Sequence, residues 1–496
     1  MELQFEKTAV PVLNTALQEI RNLELTHEVK LSDGMPDIGR VLTSWGQILL
    51  RSKEWNRDEI SVSGGVMIWT LYLPEDGTEP RSVESWVPFQ MSWDIGAETR
   101  EGAICMIPLL RFVDGRGTSS RKMMLRAGIS ALAKAYSPSE REIFRPGEVP
   151  EDVQLLNRTY PVRVPKEAGE KVFLLDEELS LPESQPGIEK LISYVLKPDV
   201  GERRIVGNRF VFKGNGNLHL VYRCPEGKIR TWDFELPFSQ FAELDDRYSD
   251  EAKGDIHLAV TSLEMDLPDS GKLRVKAGMV GQYLVDDQLL LELTEDAYSP
   301  IREVEPMRES LPIPSVLDER TEYVTAAQSA PGLSGQSADV NFLPDFPKQR
   351  KNGELELPGL FQVLSYGEGG SLQSTNARWE GKTGYATEEH TSVQAVPQIV
   401  GQPEGIPGSD GMNLGARMRL WLRTDAETEL PMVTGLSLGE RQEPEPGRPS
   451  LVLCRAGDAD LWTIAKRNGS TAKAIMEANG LETEPEESRM LLIPIS

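Results

Sequence analysis

Gly435-Leu436-Ser437-Leu438-Gly439 spells G-x-S-x-G, the pattern that lifts a nucleophilic serine to the top of a sheet. That chemistry needs a strand before the serine and a helix after it. Here Glu440 to Ser450 follows and carries three prolines, so no helix holds Ser437 and no acyl transfer is expected. Gly214-x-Gly216 lacks the third glycine and the helix of a dinucleotide site, and no G-x-x-x-x-G-K phosphate loop occurs. His219 on a strand and Cys224 at its turn lack the further ligands a metal requires. His27, His257 and His390 stand alone. With 78 acidic residues, carboxylates that are close in sequence carry no information about acid–base pairs. The expectation is a non-enzymatic chain with no catalytic, cofactor-binding or metal-binding residues.

Bulk properties narrow the partners. A formal net charge of −25 argues against nucleic acid and anionic membrane surfaces. Cys105, Cys224 and Cys454 lack disulfide or metal spacing, which suits a reducing cytoplasm. Met1 to Ala16 has no basic start, apolar core or cleavage site, and no run approaches a membrane span, so neither secretion nor insertion is expected. In that setting the acceptor patterns at Asn157-Arg158-Thr159 and Asn468-Gly469-Ser470 have no role. At 496 residues the chain has room for about three or four domains.

An internal duplication organises those domains. Shifted by 150 positions, residues 10–77 align with 160–227 without a gap. Pro11, Val12, Leu25, Glu28, Leu31, Pro36, Ile38, Gly64, Tyr72 and Gly77 all recur. Pro88-Phe89 then matches Pro237-Phe238, and Arg126-Ala127-Gly128 matches Lys276-Ala277-Gly278. Tyr136-Ser137-Pro138 matches Tyr298-Ser299-Pro300 if the second copy carries an insertion. The unit reads as mainly β. Leu218, Leu220 and Tyr222 alternate towards the turn at Cys224–Gly227, as Val66, Ile68 and Tyr72 do towards Pro74–Gly77. Residues 122–136 are rich in Ala and Leu, yet Met123, Leu125, Ala127, Ile129, Ala131 and Ala133 recur every second residue, which is a strand period. Pro165 and Gly169 in its counterpart argue against a long helix over 12–24.

A shorter third copy is expected, with Arg320-Thr321 echoing Arg158-Thr159 and Phe361 to Tyr366 echoing the strands at Tyr72 and Tyr222. Met418, Leu420 and Leu422 give it a late strand. Ala326–Asp339 and Gly401–Gly411 are expected to be mobile. The division is 1–159, 160–321, a degenerate 322–440, a stiff tether at 441–449, and a terminal unit at 450–496.

That terminal unit reads strand–helix–helix–strand. Leu451–Leu453 form the first strand. Leu461, Ile464 and Ala465 mark a helix closed by Asn468-Gly469. Ser470 or Thr471 caps a second helix with Ala474, Ile475 and Ala478 on one face, closed by Gly480, and Leu491–Ile493 return as a strand. Gly457, Gly469 and Gly480 read first as element terminators. Trp462 reads either as packing on the first helix or as an exposed anchor.

Gly457-Asp458, Leu461, Ile464-Ala465, Gly469, Asn479, Leu481 and Ile493-Pro494 together resemble a LysM domain. Ala459-Asp460 stands where the family usually has Thr, and the second loop holds Glu482, Glu484, Glu486 and Glu487. Leu31-Ser32-Asp33-Gly34-Met35-Pro36-Asp37-Ile38, repeated at Leu181 to Ile188 with Gly187 in place of the Asp, resembles the opening motif of the SPOCS repeat. Tandem SPOCS units before a LysM domain resemble the SipL-type spore-coat morphogenesis factors.

The resemblance implies a mainly β fold of sandwich-like repeats followed by a small βααβ LysM domain. It implies an assembly protein in the mother-cell cytoplasm at the forespore surface, with a coat morphogenetic ATPase as partner of the LysM domain. Gly457, Asp458, Asp460, Leu461, Trp462, Asn479, Gly480 and Leu481 are the expected contact residues. The alternative is a wall-binding module holding peptidoglycan or another N-acetylglucosamine polymer in the same groove.

Overall fold

The computed structural model describes the chain except residues 78, 97–100, 334, 387–391, 443–449, 487–488 and 496. Strand β1 is Glu2–Gln4. Six strands follow: β2 Glu6–Lys30, β3 Ile38–Asn56, β4 Glu59–Pro74, β5 Arg81–Asp94, β6 Ala103–Ser119 and β7 Lys122–Arg145. The next six are β8 Gln154–Ser180, β9 Lys190–Val206, β10 Arg209–Arg223, β11 Ile229–Glu243, β12 Lys253–Asp269 and β13 Lys272–Tyr298. Then come β14 Arg302–Pro331, β15 Ser337–Pro344, β16 Lys348–Gln349, β17 Glu354–Tyr366, β18 Leu372–Ala386, β19 Ser392–Pro407 and β20 Gly411–Arg441. The fold is mainly antiparallel β, ending in a small strand–helix unit.

One strand order occurs three times. The first and last long strands of each set pair as a hairpin, with the penultimate strand on the outer side: β2-β7-β6, β8-β13-β12 and β14-β20-β19. The intervening strands form a second sheet: β3-β4-β5, β9-β10-β11 and β15-β17-β18, with the short β16 also on β17. Alternation builds each sandwich. In β7, Met123, Leu125, Ala127, Ile129, Ala131, Ala133 and Ala135 are all buried against the facing sheet. The recurring glycines have a steric cause. A Cβ at Gly64 would collide with Leu49 O and lie 2.8 Å from the ring of Phe89, and one at Gly214 would collide with Asp199 O and lie 2.9 Å from Phe238, so each is hemmed in by both neighbouring strands.

Each long hairpin bends at the same place. Register slips where Thr15 and Leu17 face Tyr136 and Ala135, where Pro165 and Glu167 face Asp286 and Val285, and where Val316 and Asp318 face Asp425 and Thr424. Such bulges turn a strand out of one sheet towards another. Below them the three stems meet in one apolar core of Val12, Ile143, Val162, Leu291, Ile313 and Met432, with contributors from each set. Above them the second sheets meet through Trp45, Leu71, Val221 and Leu364. Strand β1 pairs with β20, Leu3 facing Leu436.

The bulges assign structural equivalents and correct one alignment. Tyr136, Asp286 and Asp425 share a position, so β13 runs on to Tyr298 without an insertion and Tyr298 is not the counterpart of Tyr136. The boundaries at 159/160 and 321/322 fall inside β8 and β14, because each hairpin begins well before the repeated sequence signal. Arg320 likewise lies beyond the bulge in β14, whereas Arg158 precedes the one in β8.

The segments expected to be mobile are largely paired strand. Residues 326–331 and 337–339 belong to β14 and β15, and 401–407 to β19, with Ala326 and Ala330 buried in the third core. Their glycines serve turns and bulges, as at Gly332 and Gly401, with φ of 80° and 73°. The tether at 441–449 falls mainly on 443–449, outside the described residues, as does His390.

Glutamine amides join the sets at backbone level. Gln47 accepts from Leu196 N–H at 2.8 Å, and Gln282 both accepts from Met106 N–H at 2.7 Å and donates to Met106 O at 2.8 Å. Gln362 donates to Val113 O at 2.9 Å. A buried strand group left without such a partner costs about 1–3 kcal/mol, so these side chains fix how the sheets abut.

The opening motif differs between its two copies in a paired way. Arg121, at the β6–β7 turn, donates to Ser32 O at 2.7 Å and pairs with Asp37 at 3.0 Å, gathering the Leu31–Ile38 loop around one guanidinium. In the second copy the positions of Asp37 and Arg121 are held by Gly187 and Gly271. Loss of the Asp is matched by loss of its cation.

Candidate functional site in the C-terminal unit

Strand β21, Leu451–Arg455, pairs antiparallel with β22, Met490–Pro494, and two helices lie between them in sequence: α1 Leu461–Asn468 and α2 Ala472–Asn479. Leu461, Ile464, Ala465, Ile475, Leu491 and Ile493 form its core. Asp460 caps α1, accepting from Thr463 N–H at 2.9 Å, and hydrogen bonding by Thr463 holds its carboxyl below the usual range. Thr471 caps α2, accepting from Ala474 N–H at 3.1 Å. Gly469 and Gly480 close the helices at φ of 64° and 59°. Ala478, expected on the buried face, is exposed, because α2 packs on the core through Ile475, with Ala472 and Met476 partly buried beside it.

Two loops, 456–460 and 480–486, approach one another. The Glu484 carboxylate reaches across to accept from the free N–H of Leu461 at 3.0 Å, at the positive end of α1. Asp458, Asp460, Glu482 and Glu486 are exposed around it, and Glu487 lies outside the described residues. Asn479 is committed internally. It donates to Leu492 O at 2.6 Å and to Ile475 O at 2.7 Å, and accepts from Leu492 N–H at 2.7 Å. Leu461 is buried and Leu481 packs on the core, so among the expected contact residues Gly457, Asp458, Asp460 and Gly480 are the exposed ones.

Residues 455–484 match the family model for the LysM domain. The terminal unit is a LysM domain. No curated protein and no solved structure matches the chain. LysM domains are modules for glycan chains such as peptidoglycan or for protein contact.

This LysM domain is mounted on the second set of strands. Trp462 Nε1 donates to Asp296 at 2.9 Å, and Lys466, one turn on, reaches the same carboxylate at 2.6 Å. Burial opposes the charge on Asp296, but the bonds from Lys466 and Trp462 outweigh it and hold the carboxyl below its ordinary value. Tyr298 stacks edge-on against Trp462 with ring centroids 4.7 Å apart, and donates to Ser470 O at 3.0 Å. Burial pushes its hydroxyl up to about 12. Trp462 therefore packs within the chain, against a tyrosine whose role the apparent Tyr-Ser-Pro repeat concealed.

Ser437, the serine of the G-x-S-x-G pattern, lies within β20 and pairs with both Glu2 and Glu305. His257 sits 3.0 Å from Asp255 and edge-on to Trp421. Neither His257 nor His219, whose partners are Asp233 and Asp339, stands alone. Among the described residues no group of three or more His, Cys, Asp or Glu is placed to hold a metal ion, and no helix is long and apolar enough to cross a membrane.

The Glu484 bridge has a measurable consequence. Changing Glu484 to Ala leaves Leu461 N–H without its acceptor and should lower LysM stability by about 1 kcal/mol, the usual size of a lost helix cap. Thermal unfolding of the isolated transition would show it; an unchanged midpoint would mean that water serves Leu461 equally well.

Proposed function

We propose that the chain is a non-enzymatic assembly protein of the spore coat, whose LysM domain binds the coat morphogenetic ATPase while three SPOCS-like sets of strands form the scaffold. It acts in the mother-cell cytoplasm at the forespore surface. The observation that carries this reading is the bridge between the two LysM loops: Glu484 accepts from Leu461 N–H, and exposed acidic side chains surround it. A glycan would have to displace that carboxylate, and the anionic groups of peptidoglycan would meet like charge. The repeated opening motif ahead of a LysM domain supports the same conclusion, as does the seating of Ser437 inside a paired strand rather than at a strand–helix turn.

The test is retention on immobilised morphogenetic ATPase. The full chain should be retained and a chain lacking residues 450–496 should not. Equal retention of the truncated chain would refute the LysM assignment. Co-sedimentation of the full chain with insoluble peptidoglycan would favour the alternative, a wall-binding module, which the family match itself keeps in play.

A further inference from the structure

The β21–β22 ribbon has two faces of opposite fate. Val452, Cys454, Leu491 and Ile493 point at the helices, and Leu491 and Ile493 are fully buried. The other face carries Leu451, Leu453 and Arg455 from β21 and Met490, Leu492 and Pro494 from β22. Leu453 lies directly opposite Leu492, Arg455 opposite Met490 and Leu451 opposite Pro494. Leu451 is 51%, Leu453 60%, Met490 51% and Leu492 38% exposed. Four exposed large apolar residues thus fall on one side of two five-residue strands. Such a patch is on the order of the few hundred Å2 that marks an interaction surface on a monomer.

We propose that this ribbon face is where the LysM domain docks its protein partner, and that the partner brings an aliphatic surface bordered by a carboxylate. The inference rests on the reading of the LysM domain as a protein-binding module. Trp462 and Lys466 on α1 are engaged by the second set, Glu484 is engaged by Leu461, and the exposed side of α2 carries Lys473 and Glu477 rather than an apolar patch. Arg455 sets the sign of the partner: it is exposed on the ribbon face beside Leu453 and has no ion pair among the described residues. A second copy is the wrong occupant. Two chains of net charge −25 repel. The ribbon is then the apolar centre of a contact whose polar rim includes Arg455.

The experiment measures affinity of the full chain for purified coat morphogenetic ATPase by surface plasmon resonance. Leu453→Glu with Leu492→Glu should weaken binding at least tenfold, and Arg455→Glu several-fold. Lys473→Glu, the same charge change on the exposed side of α2, should leave it unaltered. Both ribbon variants alter exposed side chains, and thermal unfolding checks that the domain stays folded. Wild-type binding that survives both ribbon variants overturns this inference and leaves the LysM reading standing. No wild-type binding overturns both. A wild-type dimer in sedimentation that Leu453→Glu with Leu492→Glu dissociates would assign the face to a second copy instead.

Discussion

Arg423→Ala should lower the unfolding free energy by about 3–5 kcal/mol, the cost of removing one member of a buried ion pair. Arg423 on β20 is 2% exposed and grips Asp286 on β13, itself 1% exposed, through two bonds of 2.7 and 3.0 Å. Its Nε also holds Asp425 at 2.8 Å. Burial pushes the Asp286 carboxyl up, against the pull of Arg423 and of Arg163, which lies 3.0 Å away. Without Arg423 that carboxylate keeps one partner, and the space left by the guanidinium opens where all three sets meet. Lys134 of the first set and Leu284 of the second occupy the positions equivalent to Arg423. The double change Arg423→Met with Asp286→Leu should recover much of the loss, since well-packed apolar side chains replace buried ion pairs at little cost. Urea unfolding measures both; a loss below about 1 kcal/mol for the single variant would show the pair to be dispensable.

Asp339→Ala should cost a comparable amount, with a pH signature of its own. Asp339 on β15 accepts from Trp45 Nε1 of the first set at 2.7 Å and binds His219 Nε2 of the second at 2.9 Å. Three sets therefore converge on one buried carboxylate. Burial works against the charge on His219, but Asp339 and Asp233 outweigh it and raise its pKa to about 9. Lys197 lies near the same carboxylate and donates to Asn341 at 3.1 Å. The sign follows directly. A histidine raised from about 6.5 stabilises the fold in full below pH 6.5, and this contribution is lost as pH rises through about 9. Its size is on the order of 3 kcal/mol. Asp339, held below its ordinary value, acts in the opposite sense and loses its contribution only in acid. The wild-type chain should thus weaken between pH 6.5 and 9.5. His219→Gln should abolish most of that slope, and Asp339→Ala should reduce it, because the half-exposed Asp233 remains. A wild-type slope unchanged by either variant would remove His219 from the account.

Within each set, the sequence pattern was informative because it is local. Alternation from Met123 to Ala133 distinguishes a strand from an Ala-rich helix, and the recurrence of Gly64 and Phe89 as Gly214 and Phe238 reflects a cross-strand clash repeated in both copies. The LysM helices are legible for the same reason, since Gly469, Thr471 and Gly480 act on the turns beside them. Contacts between sets leave no such trace. Lys134, Leu284 and Arg423 are equivalent in space but differ in type, so no repeat comparison links them. His219 and Asp339 come from different sets, and neither carries a local signal. Tyr298 misled through a chance match to Tyr136. The glycine-rich stretches misled because composition reports turns but not the long strands between them. At the candidate site, helix capping pointed to Thr471, while the capping role of Asp460 and the reach of Glu484 to Leu461 became visible only in the folded loops.

The pairing of β1 with β20 bears on how the chain comes to be made. Residues 2–4 leave the ribosome long before the strand they join, so this segment must wait while all three sets are synthesised. Final closure of the scaffold is thereby deferred until translation has passed β20. A fusion placed directly before Glu2 would crowd that late-forming seam, whereas one attached beyond the ribbon would leave it clear.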